Sequence, residues 1–234
     1  MSIIYKQEAF IVTGYNYNTI EEFQNALSIS KNCTDLIKDF KKLDTTNVKI
    51  KINDTLVSNN QPSPMLVYAN GEKEIQLCYN RLTRQMEILT KDYDSNKDFV
   101  EKILFTFAQL RLQEAKSVVL SFMLHYNKGE NRLCLFNEDI HKKLSDFPNN
   151  EGFDVSLPVD LTDEFGCKGI YGIGKVNTKN DNEHIYEIVA NYIFNFTSDN
   201  ADANGRMKEL EQAINKSYAL YKHYNEICNQ IVEL

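Results

Sequence analysis

Ile185-Tyr-Glu-Ile-Val-Ala-Asn-Tyr-Ile-Phe-Asn-Phe196 satisfies two structural periods at once. Ile185, Ile188, Val189, Tyr192, Ile193 and Phe196 share one side of a helix, whereas Tyr186, Ile188, Ala190, Tyr192, Phe194 and Phe196 make an unbroken apolar face at period two. β-Branched and aromatic residues dominate the run, and such side chains suit a pleated surface, so the strand reading is preferred. Residues 169–176 then become its antiparallel partner, joined to it by the polar stretch 177–183.

Working outward, residues 117–126 are a strongly apolar strand containing Val118, Val119, Leu120, Phe122 and Leu124. Asn137 is placed to cap a short helix running through Ile140 and Leu144 to Phe147, with a strand around 153–157 beyond it. The first half of the chain shows the same order. Residues 10–14 read as a strand, and Thr19 with Glu22 forms a capping box for a helix whose apolar stripe, Ile20, Phe23, Leu27, Leu36, Ile37 and Phe40, runs to about Leu43. Strands follow at 48–52, 65–68, 75–79 and 85–89, separated by turn formers that include Asn70-Gly71. Ser95 with Asp98 marks a second helix, with Phe99, Val100, Ile103, Leu104, Phe107 and Leu110 on its buried face, ending near Lys116.

The expected fold is therefore α+β: two strand-helix-strands-helix halves, a possible structural duplication, with an antiparallel sheet, helices on one face and a long C-terminal helix. The halves are 1–116 and 117–204, followed by the helix at 205–234. Each half resembles the element order of helix-grip or TATA-binding-protein-like repeats, and a shared order implies architecture without implying function.

The terminal helix carries the functional expectation. Met207, Leu210, Ile214, Ser217, Tyr221, Tyr224, Cys228 and Ile231 recur with three-four spacing on one seam, the pattern with which one helix packs on another. Tyr218, Tyr221 and Tyr224 add rings with hydroxyls, which suit half-wet interfaces. Met207, Leu210, Ile214, Tyr218, Tyr221, Tyr224 and Ile231 are thus the candidate interface of a homodimer, the alternative being that the helix packs along its own sheet, with Gly205 as the hinge or break that lets the helix leave the sheet.

Composition narrows the remaining classes. A formal charge of −7 argues against general affinity for phosphate backbones or anionic lipid. No apolar run is long enough to cross a bilayer, and the opening residues MSIIYKQEAF lack the pattern of a secretory signal, so a cytoplasmic location without membrane association is expected. Five scattered cysteines fit reduced thiols better than disulfides, and neither they nor the four histidines show metal-ligand spacing, so no metal and no cofactor is expected. The 26 asparagines in 234 residues suggest an AT-rich microbial or phage genome.

Three chemical motifs each have a simpler structural reading. Gly169-Ile-Tyr-Gly-Ile-Gly-Lys175 matches seven positions of a phosphate-binding loop, but Val176 replaces the hydroxyl that would hold Mg²⁺ and a polar turn replaces the helix, so a glycine-rich strand is the reading. Acidic residues crowd 138–164 without a calcium-loop pattern and read as a solvated surface. His125 reads as a strand-end polar residue, and His223 as facing solvent or a neighbouring subunit. The expectation is a non-enzymatic, cytoplasmic interaction protein that self-associates and also offers a surface to a protein partner, with nucleic acid disfavoured. A small-molecule or nucleotide sensor with a sheet-helix cavity, or an enzyme built around residues 169–175, are the alternatives.

Overall fold

In the computed structural model, the described residues are 2–43, 50–52, 55–57, 65–127, 155–176 and 185–232. They form strands β1 (Ser2–Thr13), β2 (Lys41–Leu43), β3 (Ile50–Ile52), β4 (Thr55–Val57), β5 (Met65–Asn70), β6 (Ile75–Asn80), β7 (Gln85–Thr90), β8 (Ser117–Asn127), β9 (Val155–Leu161), β10 (Cys167–Val176) and β11 (Ile185–Asn195). The helices are α1 (Ile20–Ile29), α2 (Lys31–Ile37), α3 (Tyr93–Ala108), α4 (Thr162–Phe165) and α5 (Ala203–Val232), with a 3-10 segment at Gln109–Glu114. Nine strands make an antiparallel sheet in the order β2-β5-β6-β7-β1-β8-β11-β10-β9, and β3 pairs with β4 separately. The architecture is α+β with a long C-terminal helix. The strand reading of 185–196 holds: β11 pairs antiparallel with β10, Tyr192 opposite Gly169 and Ile188 opposite Ile173.

The chain divides into two compact units: Ala9–Val118 with Asn195–Ile214, and Met1–Glu8 with Val119–Phe194 and Asn215–Leu234. In the first, aromatic residues fill the space between strands and helices. Phe10 on β1 meets Tyr93 of α3 at 4.7 Å between ring centroids, and Phe23 of α1 stacks on Tyr79 of β6 at 4.2 Å. The Tyr15 hydroxyl donates to the Ala108 carbonyl at 2.7 Å, closing the C-terminus of α3, where helical carbonyls lack partners.

Several boundaries differ from expectation for identifiable local reasons. The first helix is two helices, because Ser30 adopts extended backbone (φ −79°, ψ 107°) and its hydroxyl caps Cys33 N–H. It also stops earlier, at Ile37, since residues 41–43 pair with β5 as an edge strand that alternation in three exposed residues could not announce. The second helix is capped by Asp92, whose Oδ1 accepts from Ser95 N–H at 3.0 Å, so Ser95 lies inside the helix. The Thr19 cap is as expected, with Glu22 N–H on Thr19 Oγ1 at 3.0 Å, while the Glu22 carboxylate reaches Asn18 N–H at 2.8 Å. β1 begins eight residues before its predicted start. The expected helix at 137–147 lies outside the described residues.

Gly14 ends β1 at φ +103°, a conformation that L side chains rarely adopt. A Cβ there would sit 2.5 Å from the Glu114 carbonyl oxygen and 3.0 Å from Lys116 N. Gly14→Ala is therefore expected to cost about 1–3 kcal/mol, read as a lower urea midpoint with unchanged m-value.

Candidate functional site: terminal helix and uncovered sheet face

α5 runs for 30 residues, about 45 Å at 1.5 Å per residue. Its expected interface residues are largely core. Leu210 is 0% exposed, Ile214 7%, Tyr221 4% and Tyr224 1%, all within a single chain. Met207 and Tyr218 are half-buried, and the Ile231 side chain lies outside the described residues. Tyr224 donates to the Ile188 carbonyl at 2.9 Å, and Phe122 on β8 meets both Tyr221 (5.6 Å) and Tyr224 (5.5 Å). Lys6 on β1 donates to the Tyr221 hydroxyl and pairs with buried Glu8 at 3.1 Å, so the charge beneath the helix is compensated. The opposite side of α5, with Lys208, Glu211, Gln212, Asn215, Ala219, Lys222, Glu226 and Asn229 exposed, is polar. Thus most of the seam is buried within one chain, the cis packing of the two that its spacing allowed.

Gly205 sits inside the helix and not at a break before it. It lies in the first turn of α5, where its N–H meets Asp202 Oδ1 at 2.9 Å. A Cβ would fall 2.6 Å from Ser198 Oγ and closer still to the Asp202 carboxylate, so glycine lets this loop fold against the helix start.

His223 is half-buried, and its ring reaches the sheet. Its Nδ1 lies 3.3 Å from both Tyr171 Oη and Tyr192 Oη, and the two hydroxyls are 3.2 Å apart. Burial, the largest cause, pushes both tyrosines above their ordinary value, so the hydroxyls keep their protons and act as a hydrogen-bonded anchor for α5. Burial likewise raises Cys167 to about 11 and Cys78 and Cys228 to about 12, leaving these thiols protonated and poorly nucleophilic at neutral pH. Residues 169–175 lie on β10 as expected for a glycine-rich strand. Gly169 faces the covered side, where a Cβ would meet Leu161 Cδ1 at 3.3 Å. Of the acidic segment, Asp160 accepts from Thr162 N–H at 3.0 Å and from its hydroxyl, which holds the carboxyl below its ordinary value and starts α4.

Opposite the helices, the strands of this second unit carry a different surface. Along β8, Leu120, Phe122, Leu124 and Tyr126 are buried under α5's side, while Val119, Ser121, Met123 and His125 are half-exposed. Along β11, Val189, Asn191 and Ile193 alternate in the same way. Ile170 on β10 is 38% exposed and stands opposite Asn191 on one side and Pro158 of β9 on the other. Lys168 stands opposite Asp160, and His125 Nε2 meets Glu187 Oε2 at 2.7 Å with Tyr5 packed on the imidazole at 5.3 Å. The result is a mixed face, with an apolar middle, Lys168 opposite Asp160 and His125 hydrogen-bonded to Glu187. No helix among the described residues covers it.

Sequence reasoning missed this face because its residues alternate with the covered ones and attract attention only once the covered side is known. His125 was noticed alone, and only the β8–β11 adjacency brings Glu187 to it. Compared with protein-family models, curated proteins and solved structures, the chain finds no significant match.

Proposed function

We propose that the protein is a non-enzymatic interaction protein of the cytoplasm, microbial or phage in origin, that self-associates through the half-exposed face of β8, β11, β10 and β9, leaving α5 to its own sheet. The observation that carries this reading is the apolar middle of that face, where half-exposed Val119, Met123, Val189 and Ile193 accompany an exposed Ile170. In a chain of net charge −7, two copies repel unless the surfaces that meet carry few unmatched charges, and on this face Lys168 stands opposite Asp160 while His125 is hydrogen-bonded to Glu187. A twofold axis would place the same patch on both copies, so a self-complementary surface is required. The polar outer side of α5 lacks an apolar stripe to serve instead.

Photo-crosslinking tests the choice of surface. A benzoylphenylalanine at Ile170 is expected to yield an adduct of twice the chain mass, and the same group at Lys222 on the outer side of α5 is expected to yield none. Adducts from Lys222 alone would return the interface to the helix.

A further inference from the structure

The turn between β6 and β7 displays Arg81, Leu82, Thr83 and Arg84, all four exposed, with Leu82 at 67%. Most arginines of this arginine-poor chain are employed internally or lie outside the described residues: Arg111 is paired with Glu22 at 2.5 Å and Glu114 at 3.2 Å, and Arg206 is buried. Arg81 and Arg84 have no ion pair among the described residues. In an acidic chain with 33 carboxylates, two arginines without an ion pair among the described residues, on either side of an exposed leucine, are an unusual use of charge.

The tip is also held in place before any partner arrives. Asn80 Oδ1 accepts from Leu82 N–H at 3.0 Å and Thr83 N–H at 3.3 Å, and the Arg84 carbonyl accepts from Gly14 N–H at 3.0 Å and Tyr15 N–H at 3.1 Å. Lys116, exposed, passes its side chain beside Gly14 and adds a third cation to the same end of the unit. Arg84 sits at φ +56°, where asparagine or glycine is the less strained choice. The β5–β6 turn has a non-glycine residue in the same conformation, Glu74 at φ +50°, but that charge is matched by Lys91 at 3.8 Å. Only the Arg84 turn keeps a strained residue whose charge answers nothing in the described chain.

We propose that the Arg81–Arg84 turn is a docking tip for an acidic protein segment carrying an apolar side chain: the guanidinium groups take carboxylates, which they match in planar, two-pronged geometry, and Leu82 supplies the apolar contact. The absence of an aromatic at the tip and the presence of Leu82 between the arginines favour an acidic peptide with an apolar side chain over a nucleic-acid strand, which needs stacking surfaces. This inference rests on the reading of the protein as an interaction protein, but uses a surface on the other unit.

Fluorescence anisotropy tests it with a labelled 12-residue peptide, three repeats of Glu-Glu-Leu-Glu, against its lysine counterpart and a 12-nucleotide single strand. The full-length protein is expected to bind the glutamate peptide, with affinity falling as salt rises. The Arg81→Ser, Arg84→Asn variant is expected to lose about tenfold and Leu82→Ser about fivefold. Because asparagine suits positive φ, the arginine variant should melt no lower than the parent, which separates lost binding from lost fold. Ile170→Arg, on the other unit, should bind the peptide as the parent does. Equal affinity of the arginine variant and the parent, absence of peptide binding, or tighter binding of the single strand would each overturn the docking tip while leaving the self-association reading to its own mass measurement.

Discussion

Replacing Leu210 with aspartate is expected to lower stability by about 5 kcal/mol or more, as a fall in melting temperature of about 10–20 °C. Leu210 is fully buried and lies on the apolar seam of α5 between Met207 and Ile214. Aspartate there removes the buried side chain, leaves a void and introduces a carboxylate without solvent. Such a group either keeps its charge at high cost or takes up a proton. A native domain holds only about 5–15 kcal/mol in reserve, so a single change of this kind brings the chain to the edge of unfolding. Thermal melting by circular dichroism checks the effect. A free face for a partner would behave otherwise: Leu210→Asp would then change mass and leave the melt nearly unmoved.

The second large effect is expected at Arg206, which is 6% exposed and fastens the start of α5 to two neighbouring segments. One guanidinium nitrogen donates to the Leu112 carbonyl at 3.4 Å and to the Ala115 carbonyl. The other meets the Ser198 carbonyl at 3.2 Å and Asn200 Oδ1, and Nε faces the Asp199 carbonyl at 3.4 Å. Hydrogen bonds from a charged donor exceed neutral ones, and their loss leaves carbonyls buried without donors. Arg206→Ala should therefore cost about 3–5 kcal/mol, and Arg206→Lys should recover only a minor part, since one ammonium cannot reach carbonyls in a planar fork. Chemical denaturation of the three proteins measures this. A lysine variant as stable as the parent would mean that charge alone, and not the fork, matters.

These two residues also show what was legible beforehand. Leu210 stood out by spacing, and spacing located the helix within two residues at its start. What spacing could not decide was whose surface the seam meets, because a stripe that packs on a sheet and one that packs on a second helix obey the same geometry. Arg206 gave no signal at all: its role depends on carbonyls near 112, 115 and 198, some 90 residues away in one direction. The same holds for His223, whose partners Tyr171 and Tyr192 are brought together by the β10–β11 pairing. Strand β2 was hidden because edge strands need no alternation when neither side is buried, and Lys41 to Leu43 are all exposed. By contrast, the hairpin at 169–195 was readable, because one face of both strands is buried and that forces period two.

The central claim is that the apolar seam of α5 belongs to the protomer and the half-exposed face of β8, β11, β10 and β9 joins copies. Light scattering of the full chain and of Ile170→Arg, at matched concentration, tests it most directly. The account expects the parent at about twice 27.1 kDa and the variant, still folded by circular dichroism, at 27.1 kDa. A parent that stays at 27.1 kDa as concentration rises, or a variant that keeps the doubled mass, would contradict it.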